Sequence, residues 1–325
     1  MKAIVYNQYG SPDVLEFEDI ELPDMGPDTV LVGVRAASLN PWDWRFLRGD
    51  PFLARMVTGL RQPKPGTIPG SDVSGVVEAV GESVTEFRPG DEVFAFVGFG
   101  GCAEYIAVDE SSITTKPLDV SFEEAAAVPL AGVTALQGLR DVGRLESGMH
   151  VLVNGASGGV GTFAVQIAKT LGAEVTGVTS TGNVELVRSL GADHVIDYTS
   201  EDFTRGVARY DVMLDAVGNR PLSEWKRVMT PTGVFVGVAG RQPLSFYIGP
   251  LLHHAKLFAA SRPRSQGFKS LNVQVGADDV AHLKELMETG EVRSVIDRTY
   301  ELAATPDAIG YLEAGHVRGK IVIRV

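Results

Sequence analysis

The stretch His150-Val151-Leu152-Val153-Asn154-Gly155-Ala156-Ser157-Gly158-Gly159-Val160-Gly161 constrains this chain more than any other. Its Val-Leu-Val run has the character of a strand buried on both faces. From Val160 to Leu171 an apolar run halted by Gly172 reads as a helix. A nearly side-chain-free turn between them lets backbone N–H groups and a helix N-terminus approach an anionic diphosphate closely. Ala156, Gly158 and Gly161 fall at the three fingerprint positions of such turns, with Ala replacing the first Gly. Gly155, Ala156, Ser157, Gly158, Gly159, Val160 and Gly161 are therefore the expected cradle of a dinucleotide cofactor.

A strand–helix alternation continues beyond that turn. Strands are expected at Ala173–Val178, His194–Asp197, Tyr210–Val217, Gly233–Val238 and Ser270–Val275, with helices at Asn183–Leu190, Pro221–Met229 and Asp279–Thr289. Such spacing predicts an α/β, doubly wound parallel sheet (Rossmann). An Ala-rich helical segment from Ser121 to about Leu139, opened by capping-box spacing at Ser121 and Glu124, precedes it. The first third instead shows short Val- and aromatic-rich runs separated by Gly/Pro/Asp clusters, the pattern of a compact β-rich domain. The last segment returns to β at Val295–Glu301 and Lys320–Val325, around a helix opened by Thr305-Pro306. The expected division is 1–120 and 291–325 as a β-rich substrate domain built from both chain ends, with 121–290 as the dinucleotide-binding domain.

With 325 residues, two domains are the natural expectation. A net charge of −12 argues against nucleic acid or an anionic membrane as the main partner. No apolar run is long enough to span a bilayer, and Asn7, Gln8 and Asp13 follow the first residues too soon for a signal peptide, so the expected location is cytoplasmic. The one cysteine, Cys102, excludes an intrachain disulfide and a Cys-rich zinc site, and its apolar Gly-rich setting reads as a small buried hydrophobe.

NAD-preferring sites end their second strand in a carboxylate that binds the ribose hydroxyls. Here the strand runs into Thr179-Ser180-Thr181-Gly182-Asn183, with no carboxylate before Glu185. Ser180, Thr181 and Asn183 offer hydrogen bonds to a 2′-phosphate, which favours NADPH, although no Arg or Lys occupies the turn and Arg188 is the nearest cation. The turns Val217-Gly218 and Val238-Ala239-Gly240 follow successive strands and should line the cofactor groove, because ligands of such sheets sit beyond the carboxyl ends of the strands.

Several segments together resemble the zinc-independent medium-chain dehydrogenases/reductases, specifically quinone oxidoreductases and enone (alkenal) reductases. They are Ala37–Asp43, Gly70–Val77, Phe87–Val93, Ala131–Ala135, Asn154–Gly161, Ser189–Asp193 and Arg318–Val322. The resemblance implies a GroES-like fold for the β-rich domain and hydride transfer from NADPH to a quinone or an α,β-unsaturated carbonyl. By resemblance, Asn40 stands beside nicotinamide and substrate oxygen as a hydrogen-bond donor, and Thr134 near the nicotinamide amide. Tyr198 stands near the adenosine ribose or phosphate, and Lys320 near the cofactor. Each has a plainer reading: a turn Asn before Pro41, a helix hydroxyl, a surface Tyr, a surface Lys.

Zinc-containing relatives carry Cys near the Asn40 position and Gly-His-Glu where this chain has Gly70-Ser71-Asp72, so no metal is expected. His253 and His254, adjacent in sequence, cannot supply the missing ligands together. Trp42, Trp44, Phe46, Phe246 and Tyr247 could wall a flat substrate or simply fill the core. An enoyl-thioester reductase, and an NADPH-binding sensor or structural protein with little catalysis, are the competing readings. An edge strand near Lys269–Val275 suggests a homodimer.

Overall fold

A computed structural model describes residues 1–50, 52–238 and 266–325. They form two units, Met1–Ala131 with Val275–Val325, and Gly132–Gln274.

In the first unit, β1 (Lys2–Val5) pairs antiparallel with β2 (Glu16–Asp19). The long β3 (Thr29–Leu39) anchors a second sheet, antiparallel to β4 (Asp72–Val80) and to β6 (Tyr105–Asp109). β5 (Glu92–Phe96) pairs with β4, and β7 (Ile113–Thr115) pairs with β5. Register shifts between Leu31/Val32 and Val34/Ala36 bend β3, as bulges do, and help the sheet curl around its core. Ile4, Tyr6, Val32, Val34, Leu39, Val73, Val77 and Cys102 fill that core.

The second unit is the parallel sheet. Its strands are β8 (His150–Asn154), β9 (Glu174–Thr179), β10 (His194–Asp197), β11 (Tyr210–Asp215), β12 (Met229–Gly237) and β13 (Gly267–Ser270). The order is β10-β9-β8-β11-β12-β13, all parallel. Val151, Leu152 and Val153 have no exposed surface, because helices cover both faces of the sheet. The strand order reverses between β8 and β11, the switch point where such sheets bind ligands. The chain then returns to the first unit as β14 (Ile296–Glu301) and β15 (Lys320–Arg324), with β15 seated between β14 and β3. The architecture is α/β, with a doubly wound sheet in the second unit and a β-rich first unit, as the sequence predicts.

Three elements differ from expectation. The Ala-rich segment is not one helix. It breaks into Phe122–Ala126 and Pro129–Gln137 because Pro129 cannot donate to a preceding turn, and a π-helical stretch, Gly138–Gly143, follows. The helix Ala277–Glu288 belongs to the first unit, not to the parallel sheet, and Lys284 Nζ donates to Thr115 Oγ1 of β7 at 2.7 Å. The edge strand occupies Gly267–Ser270 rather than Ser270–Val275, in register with Val234–Gly237. No helix among the described residues is long and apolar enough to cross a membrane.

Candidate functional site

The glycine turn after β8 has the geometry its composition predicts. Gly155 adopts φ +86°, a left-handed conformation that disfavours side chains, and Ala156 N–H returns to Val178 C=O at 3.0 Å. A Cβ on Gly161 would lie 2.0 Å from Gly155 O, so the helix can close on the turn only with glycine there. The helix Gly159–Thr170 starts from Gly158, an N-cap residue with no side chain of its own to cap the first N–H groups. A Cβ on Gly158 would meet only Gly155 O, at 3.5 Å. Uncapped donors at a helix N-terminus, with open space before them, fit a diphosphate.

Beside it, β11 ends in a polar knot absent from the sequence reading. Asp215 Oδ1 accepts from Val217 N–H at 3.0 Å, Gly218 N–H at 2.9 Å and Asn154 Nδ2 at 2.8 Å. Asn154 Nδ2 also reaches Asn219 Oδ1 at 3.1 Å. This knot fixes the turn that carries Val217, whose Cγ2 lies 2.7 Å from where a Gly155 Cβ would stand. Val238 N–H donates to Asp215 O at 3.0 Å, which brings Val238 to the same strand ends. Ala239 and Gly240, with Phe246, Tyr247, His253 and His254, lie outside the described residues. Thr134 is buried in the helix Pro129–Gln137.

The turn after β9 corrects an expectation. Ser180, Thr181 and Asn183 do cluster, but most of their hydrogens are committed. Thr181 Oγ1 donates to Asp197 Oδ2 at 2.6 Å or to Thr199 Oγ1 at 2.8 Å. Asn183 Nδ2 donates to Ser157 Oγ at 3.1 Å and Ser180 Oγ at 3.3 Å. Thr179 Oγ1 donates to Ser157 Oγ at 2.8 Å, tying β9 to the glycine turn. Arg188 pairs with Glu185 at 2.6 Å. Tyr198 is about half exposed and is held through its backbone N–H on Thr179 C=O.

In the first unit, six polar side chains are buried together: Ser38, Asn40, Asp43, Ser71, Asp72 and Lys320. Asn40 caps the helix Pro41–Arg48, and its N–H donates to Asp43 Oδ2 at 2.7 Å. Asn40 Nδ2 donates to Ser71 Oγ at 2.9 Å and Asp72 Oδ2 at 2.7 Å, while Oδ1 accepts from Lys320 Nζ at 2.6 Å. Both amide hydrogens are thus engaged internally, so Asn40 has no donor left for a substrate oxygen, contrary to the expectation. Lys320 is not a surface residue, and it belongs to the first unit. It is buried at the start of β15 on Leu39 C=O at 3.1 Å, with Asp72 Oδ2 3.6 Å away. Burial pushes the Asp43 carboxyl up to about 6, against the pull of backbone donors from Asn40 and Gly70. Burial likewise raises Asp72 and lowers Lys320, partly offset by their mutual attraction.

These donors do not suit zinc. An amide already hydrogen-bonded, two hydroxyls and two carboxyls gather around an ammonium group with no His or Cys among them, where a catalytic zinc needs three ligands of His, Cys or carboxylate type. Among the described residues no three His, Cys, Asp or Glu side chains converge as a metal site. Nearby, Trp42 packs on Phe46 at 4.7 Å and edge-on to Phe96 at 6.5 Å, and Phe46 meets Phe99 at 5.1 Å. Trp42 keeps 38 % of its surface exposed.

Residues 26–118 match the model of the alcohol dehydrogenase GroES-like domain, and residues 190–323 match that of the zinc-binding dehydrogenases. The chain is 37% identical to a 2-methylene-furan-3-one reductase from Solanum lycopersicum, over 99% of this chain and 79% of that protein. It is 36% identical, with the same coverage, to an NADPH-dependent alkenal/one oxidoreductase of chloroplasts from Arabidopsis thaliana. The structure of the quinone oxidoreductase from Coxiella burnetii superposes with a TM-score of 0.87 at 32% identity, covering 100% of this chain and 99% of that one.

Proposed function

The chain belongs to the medium-chain dehydrogenase/reductase superfamily, as a quinone- and enone-reductase-like member, and from that premise we propose that it reduces quinones or α,β-unsaturated carbonyl compounds with NADPH and without zinc. The glycine turn carries the reading: its uncapped helix N-terminus, the open space at Gly158 and the closure at Gly161 suit a dinucleotide diphosphate. When bound, the reduced nicotinamide supplies a hydride.

The chain's own part is binding and positioning. Val217 and Gly218, set by Asp215, flank the cradle. Asn40 acts as a positioning residue, locking the start of the helix Pro41–Arg48 to Ser71, Asp72 and Lys320. The aromatic set Trp42, Phe46, Phe96 and Phe99 offers a flat apolar surface to a conjugated acceptor. Such an acceptor delocalises the incoming charge into an enolate or hydroquinone oxygen, which water can protonate, so orientation replaces a Lewis acid. Zinc-independence is supported by the donor set around Asn40, where Lys320 already supplies the cation. NADPH is supported by the absence of a carboxylate along the end of β9 and by the Arabidopsis relative's name.

The test is oxidation of NADPH by the purified chain against a panel of 1,4-benzoquinones, 2-alkenals and enoyl-thioesters, with and without a chelator. Turnover of quinones or alkenals that survives chelation supports the reading. Nucleotide binding with no turnover across the panel overturns it.

A further inference from the structure

We infer that Asp197 is the residue that sets cofactor choice at the adenosine end, and that it limits the preference for a 2′-phosphate over a 2′-hydroxyl to a modest ratio. The inference rests on the proposed reading of the glycine turn as a dinucleotide site.

In a doubly wound sheet the adenosine ribose lies against the turn after the second strand, and a carboxylate there selects the free hydroxyl. The end of β9 carries none. The neighbouring strand delivers one instead. β10 runs parallel to β9 with Asp197 opposite Thr179, and its carboxylate reaches across to Thr181. Its other oxygen accepts from Thr199 N–H at 2.9 Å and Thr199 Oγ1 at 2.7 Å. The two threonine hydroxyls are themselves 2.8 Å apart.

Two hydroxyl hydrogens can fill only two of these three contacts at a time. In each arrangement that fills two, both hydrogens point inside the triad, and Thr181 turns lone pairs outward. A ribose hydroxyl can donate to those lone pairs. A 2′-phosphate, close to a dianion at neutral pH, has acceptors only and meets both the lone pairs and the carboxylate charge. Asn183 gives its amide hydrogens to Ser157 and Ser180, and Arg188 is paired with Glu185, so neither offers the phosphate a ready partner. Ser180 only accepts in these bonds, which leaves its hydroxyl hydrogen for a phosphate oxygen. The donated bonds from Thr181 and Thr199 also hold the Asp197 carboxyl below the usual carboxylate range, so it is ionised at neutral pH. The turn thus carries one feature for each cofactor.

Asp197→Asn removes the charge and frees the Thr181 hydrogen. The loss of one unit charge facing a near-dianion a few ångströms away in a solvated turn corresponds to a change on the order of tenfold. Titration calorimetry with NADP+ and with NAD+, on the wild type and on Asp197→Asn, gives two dissociation constants each. The expected result is a wild-type ratio within about tenfold of unity and a shift of about tenfold toward NADP+ in the variant, matched by kcat/KM for NADPH against NADH. A wild-type preference of about a hundredfold or more for NADP+, or an unchanged ratio in the variant, overturns the inference. Salt supplies a check that needs no substitution: screening of Asp197 should raise the relative affinity of NADP+ as ionic strength rises, and a fall would show a cationic phosphate site instead. If neither nucleotide binds the wild type, the dinucleotide reading itself fails.

Discussion

At the scale of residues, the buried cluster around Asn40 makes two predictions. Two carboxyls, Asp43 and Asp72, share one ammonium, Lys320. Lys320→Met removes the cation and leaves buried acids uncompensated, which should destabilise the chain by about 3 kcal/mol or more. Adding Asp72→Leu to that variant should recover part of the loss, read as denaturant midpoints. The second prediction concerns pH. Asp43 ionises near 3.8 when solvated and near 6 when folded. The folded state therefore keeps its proton longer, and this contribution to stability is complete below about pH 4 and lost as pH rises to about 6. The loss is on the order of 3 kcal/mol. Asp43→Asn should be less stable at low pH, because an amide accepts fewer of the bonds from Asn40, Gly70 and Ser71. Its stability should also lack this fall between pH 4 and 6. An identical pH slope in wild type and variant would sink the assignment. None of this was visible in the sequence. Asn40 and Lys320 stand 280 residues apart, and no local pattern says that they touch. Resemblance picks out the motif residues, but the partners that occupy both amide hydrogens of Asn40 come only from the fold.

At the scale of elements, the glycine turn was legible because its chemistry is local: strand, turn and helix are contiguous, and each glycine serves its neighbours. Its members separate by prediction. Gly161→Ala places a Cβ 2.0 Å from Gly155 O, so both stability and nucleotide binding should fall. Gly158→Ala adds a methyl group in ordinary van der Waals contact with Gly155 O, at 3.5 Å, and at φ −85°, so thermal stability should hold within about 0.5 kcal/mol. That methyl group stands where the diphosphate would approach the backbone, so affinity for NADP+ should fall at least about tenfold. Equal nucleotide affinity in Gly158→Ala and wild type would place the ligand elsewhere. The ribose end is less legible for the opposite reason. The end of β9 carries no carboxylate, whereas Asp197 comes from β10, and register between strands is not written in either one. The break at Pro129 was legible in principle, since a proline inside an apolar run interrupts helix hydrogen bonding. The transfer of Ala277–Glu288 to the first unit was not, because an amphipathic helix looks alike against either sheet.

At the scale of the whole molecule, the two units differ in how the chain builds them. Gly132–Gln274 is one continuous stretch, while the first unit joins Met1–Ala131 to the last fifty-one residues, Val275–Val325. β15 lies inside the second sheet, paired with β14 on one side and β3 on the other, and it brings Lys320 to Asp72. Ending the chain at Gly319 removes a central strand, the buried Ile321 and Ile323, and the one cation of the cluster together. The parallel sheet loses no strand, because among the described residues β8 to β13 pair only with one another. Hydrogen exchange on the truncated chain should therefore show lost protection at β3, β4 and β14, with β8, β9 and β11 still protected and NADP+ still bound. Loss of protection across β8 and β11 as well would show that the dinucleotide-binding unit depends on the other for its stability, and that the continuous stretch is not an independent folding unit.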